Sequence, residues 1–125
     1  MLADSPVCAT IAVKDLEAAK KFYGDTLGLK DPKADPGGVL FKAGEGSAVY
    51  IYQSEFAGSN KATYAAWNVS DVKAIVDDLK GKGIEFNTFD APGITWEDEI
   101  ATMGPAKAAW FNDPDGNILN VVSGM

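Results

Sequence analysis

The chain has 125 residues, the size of one compact domain, and its 46% hydrophobic and 23% charged residues fit an ordinary globular protein rather than a disordered or fibrous one. Eighteen acidic against eleven basic residues leave a formal charge of -7, the wrong sign for phosphate backbones or anionic lipid, so neither nucleic acid nor membrane is an expected partner. Histidine is absent, which excludes every His-based triad, proton shuttle and metal ligand.

Met1-Leu2-Ala3-Asp4-Ser5-Pro6 lacks the basic start and long apolar stretch of a secretion signal, and no later run reaches the length of a membrane span, so a cytoplasmic location is expected. The single cysteine, Cys8, cannot form an internal disulfide, which agrees with a reducing compartment. Val7 to Val13 is an apolar, partly β-branched run that predicts a strand, and Asp15 can cap the helix after it. Leu16, Ala19, Phe22, Tyr23 and Leu27 recur at helical spacing, and Gly28 follows where a left-handed residue commonly ends a helix. Leu29 to Asp31 reads as a short strand bounded by Pro32, Pro36 and Gly37-Gly38. Val39 to Ala43 and Ala48 to Gln53 read as antiparallel strands joined by Gly44-Glu45-Gly46-Ser47. The first half is therefore β-α-β-β-β.

Tyr64 to Val69 predicts another strand, with Ser70 as the expected N-cap of a helix whose Val72, Ile75, Val76 and Leu79 form an apolar stripe ended by Gly81 and Gly83. Ile84 to Phe89, Lys107 to Asn112 and Ile118 to Ser123 supply three further strands. The last two are joined by Asp113-Pro114-Asp115-Gly116-Asn117, a structural turn in which Pro114 presets its own φ and Gly116 takes a positive one. Asp90 to Pro105 shows no clear element, and a loop of that length in a small domain is commonly functional. At a fixed offset Ala9 matches Ala65, Val13 matches Val69, Asp15 matches Asp71 and Ala18 matches Ala74, so the chain reads as a tandem repeat. Module one spans about residues 5–56 and module two about 62–125 of a single α+β domain. Each module has an apolar sheet face that must pack on a second one, within the chain or across a homodimer.

Three stretches, ATIAVKDLEAAKKFYGDTLGL at Ala9 to Leu29, WNVSDVKAIVDDLKGKGIEF at Trp67 to Phe86 and WFNDPDGNILNVV at Trp110 to Val122, resemble the vicinal oxygen chelate superfamily of glyoxalases, bleomycin-resistance proteins and extradiol dioxygenases. The resemblance covers nearly the whole chain. It implies two βαβββ modules with mixed sheets curling around a cleft, and often a dimer sharing two clefts. Metal-using relatives carry His, Glu or Gln at four strand positions. Here those positions fall on Cys8, on Tyr64, at Tyr50 or Tyr52, and on Asn120. One thiol, one amide and phenols do not supply the imidazole and carboxylate donors of catalytic divalent ions, so neither a metal site nor a cofactor is expected.

The expected ligand-binding set is Cys8, Tyr50, Tyr52, Tyr64, Trp67, Trp96, Trp110 and Asn120. Cys8 itself reads as an inert core thiol on the pocket wall, since its context is apolar and no histidine can activate it. The aromatics form a set able to stack a planar or cationic small molecule, but Trp110 and Phe111 alternate and cannot line one face together. Thr95-Trp96-Glu97-Asp98-Glu99 sets a tryptophan beside three carboxylates, a pattern suited either to a cationic aromatic group or to a solvated acidic loop. Glu97 and Glu99 are also the candidate general bases, provided burial raises their pKa. The leading expectation is a metal-free protein that sequesters a small molecule. The alternative is a glyoxalase-like lyase, isomerase or dioxygenase with an atypical metal or carboxylate-only site.

Overall fold

The computed structural model describes residues 1–124. It divides into two compact units, one of residues 1–61 with 113–117, the other of residues 62–112 with 118 onward.

In the first unit β1 (Ala9–Val13) leads to α1 (Leu16–Lys21), followed by β2 (Lys30–Asp35), β3 (Gly38–Lys42) and β4 (Ala48–Gln53). The sheet order is β1-β4-β3-β2, with β1 parallel to β4 and the other pairs antiparallel. Strand β1 begins two residues later than expected, because the ladder starts at Ala9 opposite Val49. Asp15 caps α1, its carboxylate accepting from the Ala18 N–H at 3.1 Å, as its side-chain type requires. The expected helix continues past α1 as a π-turn, Phe22–Thr26, closed by Leu27 N–H donating to the Phe22 carbonyl. Gly28, at φ 77°, then lets Leu29 N–H return to the Tyr23 carbonyl, which consumes an otherwise orphaned helix-end acceptor.

The short strand expected at Leu29 to Asp31 is instead β2, which runs through Pro32. Proline is tolerated there because β2 is the sheet edge, where its missing N–H costs no ladder bond. Alternation along β1, β3 and β4 sends Ile11, Val13, Val39, Phe41, Val49 and Ile51 into the core beside Ala19, Phe22 and Tyr23. The opposite face carries Thr10, Leu40, Tyr50 and Tyr52 by the same register.

The second unit repeats this topology. Strand β5 (Thr63–Asn68) is followed by α2 (Val72–Gly81), β6 (Phe86–Asn87), β7 (Thr95–Glu97), β8 (Ile100–Met103), β9 (Ala106–Asn112) and β10 (Ile118–Ser123). The order β5-β10-β9-β8 reproduces β1-β4-β3-β2, with β7 added at the edge and β5 again parallel to β10. The cap of α2 is Asp71, not Ser70: its carboxylate accepts from Ala74 N–H at 3.1 Å. Val72, Val76 and Leu79 are buried, and the helix packs on β9 and β10. The strand expected at Ile84 to Phe89 shrinks to β6, which pairs only Phe86 and Asn87 with Phe111 and Trp110.

Asp90 to Pro105 is not a featureless loop. It contains the β7–β8 hairpin, in which Thr95, Trp96 and Glu97 pair with Thr102, Ala101 and Ile100. The turn residue Asp98 holds φ 54°, a left-handed position usually left to glycine or asparagine, so the sequence lacks the usual glycine signal for a tight hairpin.

The Asp113–Asn117 turn groups with the first unit through a buried polar network. Tyr23 donates to Asp113 Oδ2 at 2.8 Å, and Asn117 Nδ2 donates to the same oxygen and to the Ala12 carbonyl, both at 2.8 Å. Asp113 Oδ1 accepts from the N–H groups of Asp115 and Asn117, Asn117 Oδ1 accepts from Gly58 N–H at 3.0 Å, and Asp115 Oδ2 accepts from Lys14 N–H. Burial, reinforced by the Asp113 carboxylate, drives the Tyr23 phenol far above its ordinary pKa. A buried carboxylate persists here because both oxygens are fully hydrogen-bonded.

Candidate binding site

Register divides the second sheet into two faces. Phe111 lies opposite Leu119, and Ala109 opposite Val121. Lys107, paired with both Thr102 and Ser123, lines a concavity of about 280 Å³ together with Val72, Val76 and Lys80 of α2, so this is the helix-side face. The other face carries Trp96, Ala101, Ala108, Trp110 and Asn120, linked row by row through β7, β8, β9 and β10. Trp110 and Phe111 thus separate as alternation requires. Trp67, however, pairs with Val121 and belongs to the helix-side face. It does not share a face with Trp110 and Asn120, which corrects its place in the expected set.

On this second face three rings meet. Phe89 stands edge-on to Trp96, with ring centroids 5.4 Å apart, and to Trp110 at 4.9 Å, while the two tryptophans are 6.1 Å apart. Edge-to-face contacts of this kind are favourable and hold the rings apart from a flat collapse. Trp110 is further oriented by its indole N–H, which donates to Thr63 Oγ1 at 3.2 Å. Trp96 and Trp110 are half-buried and Phe89 is 44% exposed, so the trio keeps π surface open to solvent. Beside it Thr88, Phe89, Asp90, Trp96 and Asp98 line a shallow concavity of about 410 Å³. An aromatic wall with two carboxylates at its rim attracts a flat cation through ring quadrupole and charge together. Asp98 belongs to the Trp96 carboxylate pattern of the sequence, whereas Phe89 and Asp90 lie outside the expected set, Phe89 because it reads as the end of a strand.

Other expected residues fall elsewhere. Asn120 is buried and both its N–H groups are committed, to the carbonyls of Ala109 and Val121 at 3.0 and 3.2 Å. Tyr64 occupies the extra position where β5 slips against β10, between the pairs Thr63–Ile118 and Ala65–Leu119, a bulge that re-aims a side chain. In the first unit Tyr50 and Tyr52 stack with centroids 6.4 Å apart. Tyr50 donates to Asp35 Oδ1 at 3.0 Å, an oxygen that also accepts from Gly37 and Gly38 N–H. Those backbone donors, with the phenol, hold the Asp35 carboxyl below its usual range, and desolvation aided by Asp35 raises the Tyr50 phenol.

Cys8 is exposed rather than a core thiol, because it precedes the first ladder pair at Ala9. Its sulfur has Thr10 Oγ1 at 3.8 Å.

Glu97 is exposed. Glu99 is ion-paired with Lys80 at 2.7 Å, which holds its carboxyl below the usual range and raises the Lys80 ammonium. A general base working near neutrality needs the opposite shift, so the expectation of a burial-raised Glu99 is overturned by its lysine partner.

The donor set at the family's four metal positions does not fit a divalent ion. Cys8 lies outside the strand, the Tyr50 phenol is bound to Asp35, and the Asn120 amide is spent on backbone carbonyls. Zinc, iron and manganese sites require imidazole, carboxylate or thiolate ligands converging at about 2 Å, and among the described residues no three His, Cys, Asp or Glu side chains are so grouped.

Two β-α-β-β-β units, each with its first strand parallel to its last, define a fold class rather than a single activity. Residues 6–121 match the Glyoxalase/Bleomycin resistance protein/Dioxygenase superfamily, and the chain belongs to that family. No curated protein sequence matches the chain. Among solved structures, a glyoxalase family protein from Bacillus anthracis aligns with a TM-score of 0.74 and 21% identity, over 98% of this chain and 96% of that one. An antibiotic binding protein from Streptomyces sp. CB03234 gives 0.70 and 22%, over 100% and 99%. The genomically encoded fosfomycin resistance protein of Listeria monocytogenes gives 0.71 and 15%, over 98% and 94%. At these identities the likeness is one of fold.

Proposed function

We propose that this protein binds a planar, cationic small molecule without a metal ion, at the Trp96–Trp110 face of its second unit, and sequesters it rather than transforming it. The observation that carries the reading is the Phe89–Trp96–Trp110 trio with Asp90 and Asp98 at its rim. The charge of -7 supports it by concentrating cations, and the antibiotic-binding structural relative supports a sequestering role. The donor chemistry at the metal positions favours metal-independent binding. A homodimer is the expected assembly, because relatives of this fold commonly pair their modules across two chains.

The test is titration of untagged protein with ethidium, a flat aromatic cation, and with anilinonaphthalene sulfonate, a flat aromatic anion, read by tryptophan quenching and calorimetry. Ethidium should bind and the anion should not, and Trp96→Ala should weaken ethidium about tenfold, the scale of one lost cation–π wall. Equal binding of both dyes, or an unchanged affinity in Trp96→Ala, would overturn the site. A stoichiometric divalent metal in the untagged protein whose removal alters binding would overturn the metal-free part.

A further inference from the structure

The three rings of the site reach it by unequal routes. Trp110 sits on β9, which is hydrogen-bonded along both edges. Trp96 sits on β7, a three-residue strand at the sheet edge whose only ladder partner among the described residues is β8. Strand β8 in turn meets β9 through just three residue pairs, Ala101–Ala108, Thr102–Lys107 and Met103–Ala106. The hairpin tip, Asp98 and Glu99, projects past that ladder. There Glu99 takes the Lys80 ammonium of α2 at 2.7 Å, with the two side chains 28% and 47% exposed. Asp98, one of the two rim carboxylates, is therefore the neighbour of the tied residue and two residues along the chain from Trp96, the ring it serves.

From this arrangement we infer that Lys80 and Glu99 form a latch that positions Trp96 and Asp98 for the ligand, although neither latch residue touches it. The inference rests on the binding reading above and adds to it a pair on the helix-side face. A short edge hairpin with few ladder bonds opens readily. Fixing its tip to a helix removes part of the ordering cost that ligand would otherwise meet.

Charge provides the discriminating test. Lys80→Gln makes the protein more negative, so simple attraction alone would strengthen ethidium binding, whereas loss of the latch weakens it. The expected result is a two- to fivefold weaker ethidium affinity, roughly the effect of one partly exposed ion pair. Lys80→Arg, which keeps the bridge, should restore the affinity, as should the exchange Lys80→Glu with Glu99→Lys.

A ligand-independent readout accompanies it. Three tryptophans give three indole N–H resonances, assigned by single substitution, and the Trp96 signal should broaden or shift toward a free indole in Lys80→Gln while that of Trp67 stays. An affinity in Lys80→Gln that rises or does not change, with the Trp96 resonance unmoved, overturns the latch. If Trp96→Ala leaves ethidium binding intact, the binding site itself is refuted, and the Trp96 resonance in Lys80→Gln still decides whether the pair orders the hairpin.

Discussion

Replacing Asn117 with alanine isolates the buried network that ties the Asp113–Asn117 turn into the first unit. The side chain is fully buried and makes three contacts: its amide donates to the Ala12 carbonyl and to Asp113 Oδ2, and its oxygen accepts from Gly58 N–H. Truncation removes about 1 kcal/mol for each of the three bonds and leaves the part-buried Gly58 N–H without its partner, which adds at most about 2 kcal/mol because water can reach it. The total comes to about 3–5 kcal/mol, a large share of the roughly 5–15 kcal/mol that holds a small domain together. Urea unfolding followed by far-ultraviolet circular dichroism at neutral pH should show a midpoint lower by about 2 M with an unchanged slope. A shift worth less than about 1 kcal/mol would refute the reasoning, since it would mean that water or a shifted backbone satisfies those groups. Asn117→Asp keeps the acceptor for Gly58 but sets a second carboxylate beside Asp113. It should be more damaging at neutral pH, where two like charges face each other in a buried site, than in acid.

Because the Tyr23 phenol titrates far higher folded than unfolded, it contributes stability that is whole below about pH 10 and is lost as pH rises, at up to about 1.4 kcal/mol per unit. Tyr23→Phe should flatten that alkaline decline in denaturant titrations from pH 9 upward, and parallel curves for the two proteins would contradict it. Gly38→Ala should cost more than about 3 kcal/mol, because an added Cβ would collide with the Ile51 carbonyl oxygen, whereas Gly44→Ala, with nothing within 4 Å, should be neutral by thermal melting. Asp71→Ala should lower stability by about 1 kcal/mol through the lost cap, and Ser70→Ala should leave the melting midpoint in place.

What the sequence disclosed follows from which signals are local. Periodicity located β4, β9, β10 and α2 because each alternates or repeats within one element. The α2 cap shows a local ambiguity with a non-local answer: Ser70 and Asp71 both suit the role, and only the internal repeat, which sets Asp71 against Asp15, separates them. The β7–β8 hairpin stayed hidden because Asp98 holds its turn at φ 54° without a glycine. Faces depend on register, so the separation of Trp67 from Trp110 needed the pairing with Val121. The meeting of Phe89 with Trp96 and Trp110 joins an irregular segment to two strands, and no spacing rule anticipates it. The Asp113-Pro114-Asp115-Gly116-Asn117 turn was legible as a turn, whereas its bond to Tyr23, 90 residues away, was not.

That separation shapes how the chain can be made. Residues 113–117 are synthesised after all of residues 62–112, yet the Ala12 carbonyl, Lys14 N–H and Gly58 N–H wait for them. The first unit therefore cannot complete these hydrogen bonds until the chain has been built through residue 117. Until then those groups lack their partners, and closing contacts that span over a hundred positions makes this step slow. A duplication of two self-sufficient halves would have allowed each to be cut free or exchanged. By lending its final turn to the first half, the second half gives that independence up, and a fragment ending at residue 61 should be incompetent on its own.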